Sequence, residues 1–206
     1  MFTGIIETKV SADTEPESEG FLRYKLDVSD LGWDLRVGQS IAVNGICLTV
    51  ESVKGDPKGK AESFSVCVMP ETLRVSVLDI KKDLNLERAL LVSSRYEGHM
   101  VQGHVDTVGE VINVLGQGGD DYGLQFKVPV SFANLVISKG SIAINGVSLT
   151  VVNPQVQGDD LLVEVWLIPH TLEHTNLGQL EIGDSVNIEF DILGKYLANT
   201  LKYGDN

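Results

Sequence analysis

A chain of 206 residues with 43 % hydrophobic and 22 % charged side chains has the balance of a folded soluble protein, long enough for one large domain or two small ones. Its 29 acidic side chains outnumber 16 basic ones, and a net charge of −13 argues against nucleic acid or an anionic membrane as a partner. No apolar run is long enough to span a bilayer, "MFTGIIETKV" lacks the pattern of a secretory signal, and Cys47 and Cys67 make neither a zinc pattern nor a disulfide framework, so a reducing, cytoplasmic setting is expected.

The first β-type run is "GFLRYKLDV" at 20–28, followed by "SDLGWD" at 29–34, a short helix with Ser29 as its candidate cap. "SIAVNGICLTV" at 40–50 places Asn44-Gly45 between two apolar runs. Asn-Gly tolerates positive φ at both turn positions, which predicts a hairpin. A turn-rich break, "KGDPKGK" at 54–60, precedes the strand "SFSVCVM" at 63–69. The pattern restarts near "SSRYEGH" at 93–99. A second break, "LGQGGDD" at 115–121, precedes "YGLQFKVPV" at 122–130, and "SFANLVI" at 131–137 reads as a short helix after Ser131. "SIAINGVSLTV" at 141–151 and "LLVEVWLI" at 161–168 follow as strands. In the tail "DILGKYLANTLKYG", Leu193, Tyr196, Leu197, Thr200 and Leu201 recur at three- and four-residue steps, a helical stripe. A lone helix this short is marginal in water, so it must pack on its own chain or on a partner.

The two hairpin phrases are identical at eight of eleven positions. "VMPETL" at 68–73 returns as "LIPHTL" at 167–172, "LNLE" at 84–87 as "VNIE" at 186–189, and "FTGIIE" at 2–7 as "VQGHVD" at 101–106. The order is kept and the offsets run only from 99 to 102, which identifies a tandem duplication. The unit is far longer than a solenoid repeat, so each copy is a domain. The expected architecture is all-β: two similar barrels spanning 1–98 and 99–191, with a helix in 192–206.

Side chains alternate across a strand, so Leu48 and Val50 should point into the first barrel and Cys47 and Thr49 outward. In the second copy Leu149 and Val151 face inward, Ser148 and Thr150 outward. Each barrel thus carries a small polar pair on its outer wall, suited to a neutral, flat, hydrogen-bonding ligand, although a solvated strand face or core packing would also keep the phrase. Phe2 reads as a core or interface anchor, Cys67 as a small core hydrophobe, and Asp191 as the cap of the tail helix. His99 and His104, read as a strand, fall on opposite faces and form no metal pair. The chain lacks a GxxxxGK[ST] phosphate loop, a GxGxxG turn and an HExxH pair.

"MFTGIIE", "NGICLTV", "GHMVQGHVD", "KGSIAINGVSLTV", "LIPHTL" and "VNIEFD" together resemble the riboflavin synthase family over nearly the whole chain. The resemblance implies two six-stranded barrels, a C-terminal helix that helps assemble a homotrimer, and working sites between neighbouring chains. It implies dismutation of two molecules of 6,7-dimethyl-8-ribityllumazine by transfer of a four-carbon unit. The products are riboflavin and 5-amino-6-ribitylamino-uracil, with no metal or organic cofactor. By the same resemblance the first pocket is lined by Gly4, Ile5 and Ile6, by Cys47, Leu48 and Thr49, and by Cys67, Val68, Met69, Pro70, Glu71 and Thr72. The second is lined by Gly103, His104 and Val105, by Lys139, by Ser148, Leu149 and Thr150, and by Trp166, Leu167, Ile168, Pro169, His170 and Thr171. Phe2, Ser40, Cys47, His104, Ser148 and Asp191 are the implied catalytic positions. His170 departs from the glutamate expected there, which Glu71 keeps in the first copy. His104 is the candidate base for the acidic 7-methyl group, and its counterpart Ile5 cannot serve. Water, the Ser148 hydroxyl and the Cys47 thiol are candidate nucleophiles on the acceptor. Two other readings are a non-catalytic, antenna-type lumazine- or flavin-binding protein and the barrel of a flavin reductase. The intact second copy of "NGVSLTV" weighs against the first, and the lack of room for a nucleotide domain against the second.

Overall fold

The computed structural model describes residues 1–16, 21–56, 59–79, 81–116 and 122–203. The first sheet contains β1 (Thr8–Val10), β2 (Ala12–Pro16), β3 (Leu22–Asp27), β4 (Ser40–Val43), β5 (Ile46–Gly55), β6 (Ala61–Val68) and β7 (Leu84–Arg88). Its order is β1-β7-β4-β5-β6-β3-β2. Only Ser11 separates β1 from β2, so the two ends of the sheet are one bent strand and the seven segments make a closed ring of six strands. The second sheet contains β8 (Thr107–Leu115), β9 (Tyr122–Pro129), β10 (Ser141–Ile144), β11 (Val147–Thr150), β12 (Val152–Gln157), β13 (Asp160–Leu167) and β14 (Ser185–Phe190). Its order, β11-β10-β14-β8-β9-β13-β12, closes in the same way, because β11 and β12 flank Val151 alone. Closure removes the exposed edges that an open sheet would present.

Alternation sets the two cores. Along β5, Ile46, Leu48 and Val50 are buried while Cys47 is half-buried and Thr49 exposed. Leu26, Ile41, Phe64, Val66 and Leu86 fill the first barrel, and Leu124, Phe126, Ile144, Val165 and Phe190 the second. Both Asn-Gly hairpins have the expected backbone, with φ of 46° and 77° at Asn44-Gly45 and 47° and 82° at Asn145-Gly146.

The expected short helices are 3-10 turns at Ser29–Leu31 and Val130–Leu135. Ser29 lies inside the first rather than capping it: its amide and hydroxyl both bond to Asp27 Oδ1. Ser131 likewise lies within the second. Two α-helical turns that hydrophobic periodicity did not indicate, α1 (Pro70–Val75) and α2 (Pro169–His174), follow β6 and β13. Proline at their first position supplies the φ a helix start needs and lacks only an N–H that would be unpaired there. The turn-rich breaks at 54–60 and 115–121 fall partly outside the described residues. The tail forms α3 (Ile192–Tyr203), with Asp191 Oδ1 accepting from the Leu193 amide as its cap. No helix among the described residues is long and apolar enough to cross a membrane.

The barrels meet hairpin to hairpin. A methyl group at Gly45 would lie 2.7 Å from Gly146 N, and one at Gly146 would lie 2.8 Å from Gly45 N, so only glycine lets the turns touch. Around them a buried amide network crosses the junction. Asn187 Nδ2 donates to Asn44 O and Val77 O, both at 2.9 Å, and Asn85 Nδ2 donates to Asn145 O at 3.0 Å and Asn176 Oδ1 at 2.9 Å. Each barrel's last strand thus supplies an asparagine to the other barrel's turn.

Candidate ligand pockets at the barrel junction

The segments that lead into the two barrels cross over. Phe2 is fully buried and forms an isolated antiparallel bridge with Val101, donating to Val101 O at 2.8 Å. With Ala42, Val101 and Ala143 it makes a small apolar cluster against which Cys47 packs. Beyond this bridge, Gly4 O accepts from Ser148 N at 2.8 Å and Gly103 O accepts from Cys47 N at 2.8 Å. Ile6 packs on the second core and Val105 on the first.

These contacts group the lead segments differently from the lining sets that the resemblance implies. Gly4 and Ile6 stand with Ser148 in the second barrel, while Gly103 and Val105 stand with Cys47 in the first. Chain order assigns each lead segment to the barrel that follows it, but the crossover hands its backbone to the other. Ile5 turns the opposite way from its neighbours, into a cleft of about 700 Å3 shared with Thr3, Ser40 and Arg88. Ser40 is opposite Thr49 in the β4–β5 register, so both hydroxyl side chains lie on the outer face.

A buried glutamate clamps each crossing. Glu87 accepts from the Thr3 amide and hydroxyl at 2.7 and 3.0 Å and from the Gly4 amide at 2.9 Å. Glu189 accepts from the amides of Gln102, Gly103 and His104 at 2.6, 2.8 and 2.9 Å. Burial pushes both carboxyls above the ordinary range and the donated hydrogen bonds pull part of the way back. These glutamates close the repeated "LNLE" and "VNIE" phrases, so their recurrence was a signal that pattern-reading for strands passed over.

His99 and His104 lie in the irregular segment before β8, not on a strand, because their residues pair with the crossover rather than with a sheet. His104 is exposed, anchored by its amide to Glu189 beside the Gly103–Cys47 contact. His99 is buried, with its Nδ1 2.7 Å from Ser148 Oγ. Burial pushes this imidazole below the ordinary histidine value, against the opposing charge of Asp191. Asp191 therefore sits within electrostatic reach of the His99–Ser148 pair while it caps α3.

On the first barrel, Cys47, Leu48, Thr49, Cys67, Met69 and Thr72 line a cleft of about 520 Å3 with Phe21 and Glu51. Cys67 is thus a wall of this cleft rather than a core residue, and its thiol is pushed up by burial and by the Glu51 charge. The side chains of Leu48 and Val68 belong mainly to the first core and that of Leu167 to the second, so strand alternation leaves chiefly their backbones to the outer wall. Leu149 packs partly on the second core. Trp166 takes the place of Cys67 in the second repeat, 43 % exposed, with its indole N–H donated to Glu164. Met69 and Ile168 precede Pro70 and Pro169, with Thr72 and Thr171 in the helical turns beyond. Glu71 pairs with Arg74 at 2.8 Å, whereas His170 stacks on His174 with ring centroids 4.1 Å apart. Lys139 lies on an exposed turn with φ of 67°, and its ammonium has no partner among the described residues. Thr150 is exposed beside Ser148.

The lumazine binding domain family matches residues 3–89 and 102–191, one match per barrel. A riboflavin synthase of Actinobacillus pleuropneumoniae is 39 % identical over 98 % of this chain and 90 % of its own. That of Bacillus subtilis (strain 168) is 37 % identical over 98 % and 90 %. One from Mycobacterium tuberculosis (strain ATCC 25618 / H37Rv) is 38 % identical over 98 % of both chains. The fold resembles that of LumP complexed with riboflavin, with a TM-score of 0.74 and 23 % identity over 92 % of this chain and 99 % of that one. A LumP complex with 6,7-dimethyl-8-(1'-D-ribityl) lumazine gives a TM-score of 0.73 at 23 % identity over 92 % and 98 %. With a family match in each barrel and such relatives over almost its full length, the chain belongs to the riboflavin synthase family of tandem lumazine-binding domains.

Proposed function

We propose that the protein is a riboflavin synthase, a transferase that dismutates two molecules of 6,7-dimethyl-8-ribityllumazine into riboflavin and 5-amino-6-ribitylamino-uracil. The observation that supports this reading is the repeated strand contact, kept in both halves of the chain. Cys47 and Ser148 receive the same backbone contact from the opposite lead segment, at 2.8 Å in each case. A carrier of one bound ligand needs one pocket, whereas a reaction between two copies of one substrate needs two. The pockets also differ where a donor and an acceptor must differ: Cys47 against Ser148, Cys67 against Trp166, Glu71 against His170.

In this reading a base removes a proton from the acidic 7-methyl group of one lumazine, and the resulting carbanion, delocalised into the ring, attacks the other. His104 is the candidate base, held at its amide by Glu189 on the first-barrel side of the junction. Holding both rings in reacting register contributes an orientation effect of roughly 7–11 kcal/mol in favourable intramolecular models. We read residues 1–98 and 99–191 as the two ligand-binding units and 192–206 as an oligomerisation helix. The assembly is a homotrimer with sites completed between neighbouring chains, working in the cytoplasm without a metal or organic cofactor. The exposed apolar face of α3, with Leu193, Leu197 and Leu201 each over 60 % exposed, supports a partner chain.

The test is incubation of the purified protein with 6,7-dimethyl-8-ribityllumazine alone, following flavin absorbance. Multiple turnovers are expected. Tight binding with no flavin formed would leave the antenna-type reading instead.

A further inference from the structure

We propose that His99 is a positioning residue for Ser148: its Nδ1–H donates to the serine oxygen and so turns the hydroxyl proton toward the ligand. This rests on the reading of the Ser148 wall as a substrate pocket, and it changes what the serine does there. Ser148 becomes a fixed hydrogen-bond donor rather than a nucleophile activated by an imidazole.

Two observations select the tautomer. His99 Nδ1 lies 2.7 Å from Ser148 Oγ, and His99 Nε2 is buried with no hydrogen-bond partner among the described residues. A neutral imidazole has one N–H and one bare nitrogen. A proton on Nε2 would be a buried donor with nothing to receive it, which costs about 1–3 kcal/mol. A bare lone pair there is the lesser loss, because orphaned N–H groups are rarer than under-used acceptors. An imidazolium would carry the same orphaned N–H plus a buried charge, and burial indeed holds this ring below its ordinary value. The proton therefore sits on Nδ1 and is donated to Oγ.

The ring is also fixed from behind. The His99 amide donates to Thr3 O at 3.1 Å, and a methyl group at Gly98 would come within 1.9 Å of that same oxygen. The backbone on either side of the ring is thus packed against the Thr3 carbonyl. Ser148 Oγ makes no other hydrogen bond with the described residues, so its own proton is left for whatever enters the pocket. Cys47 has the matching backbone contact but no side-chain hydrogen bond among the described residues. The duplicated strand thus offers a directed hydroxyl in one pocket and a thiol in the other.

The first measurement is the tautomer itself, by long-range proton–nitrogen NMR on histidine-labelled, full-length protein near neutral pH. We expect a neutral His99 protonated at Nδ1. An Nε2–H tautomer or an imidazolium would overturn the proposal, whatever the activity. The second is a set of variants assayed with 6,7-dimethyl-8-ribityllumazine. His99→Ala should lower kcat/KM about 5- to 10-fold, the scale of one neutral hydrogen bond. His99→Asn, whose amide nitrogen can occupy the place of Nδ1, should recover most of the loss, and His99→Gln should not. In a Ser148→Ala background, His99→Ala should change nothing further, because its effect runs through the hydroxyl. Equal losses in both backgrounds would make His99 merely structural. A wild type that binds lumazine without turnover would sink the enzymatic reading, while the NMR result would still decide the hydrogen bond.

Discussion

Gly4 and Ser148 lie back to back: the Ser148 amide donates to the Gly4 carbonyl at 2.8 Å, and a methyl group on Gly4 would lie 2.6 Å from Ser148 Cβ. Gly4 also has a φ of 77°, where a side chain adds about 1–2 kcal/mol of strain. Gly4→Ala should therefore destabilise the protein by about 2 kcal/mol or more and displace the strand that carries Ser148. The mirror change, Gly103→Ala, should displace Cys47, because a methyl group there would come within 2.6 Å of Cys47 Cβ. Thermal unfolding and riboflavin fluorescence titration measure the two effects. A Gly4→Ala protein with wild-type affinity at every site would show that the crossover does not shape the second pocket.

Glu189 accepts three backbone hydrogen bonds from the segment carrying His104. Glu189→Gln keeps the shape but points an N–H2 group at amide donors, and should cost about 1–3 kcal/mol. The pH dependence follows from the raised folded-state value of this buried carboxyl. Between its unfolded and folded values the native state binds the extra proton, so the associated stability is fully present below the unfolded value and is lost as pH rises through the folded one. The stability gap between wild type and Glu189→Gln should accordingly shrink with rising pH. Denaturant midpoints across a pH series test it, and a gap that grows with pH would mean that the amide donors outweigh burial.

The tail helix presents Leu193, Tyr196, Leu197 and Leu201 to solvent, each 62–73 % exposed. On its own chain its polar ties include Lys195 to Asp106 at 2.6 Å and the Asp191 cap. Deleting 192–206, or placing glutamate at both Leu197 and Leu201, should yield monomers in sedimentation velocity with sharply reduced turnover. A truncated protein that stays trimeric would remove the helix from the assembly.

The barrels were legible in the sequence because their determinants are local. Alternation in "SFSVCVM", two Asn-Gly turns and register-preserving repeats each act within a few residues. The tail helix was legible from its three- and four-residue stripe. The candidate pocket residues came only as a list, through the family resemblance. Gly4 and Ser148 are 144 positions apart, and nothing in either phrase says that each lead segment crosses to the other barrel. Likewise His99 reads as an ordinary histidine until the fold brings Ser148 against it. Asn85, Asn187, Glu87 and Glu189 stood in plain view inside the repeated "LNLE" and "VNIE". A buried polar residue repeated at the same place in two strands points to a partner outside the strand, and here the partners lie at the junction.

His104 follows Gly103, whose carbonyl accepts from the Cys47 amide at 2.8 Å, and we read the two side chains as serving one ligand. If His104 removes the 7-methyl proton, His104→Gln should lower kcat about 10²- to 10⁴-fold, the range of general base catalysis, with little change in KM. Cys47→Ser should be milder, because the second pocket already carries serine there and the hydroxyl keeps a hydrogen-bonding group. Coupling should follow the structure rather than the chain order. His104→Gln and Cys47→Ser should combine non-additively, whereas His104→Gln and Ser148→Ala should act on different ligands within one chain and combine closer to additively in binding. Deuterium exchange at the 7-methyl group, measured without turnover, isolates the proton-transfer step. Should the His104→Gln protein exchange as fast as wild type, His104 is not the base, and water or a ribityl hydroxyl of the ligand takes its place.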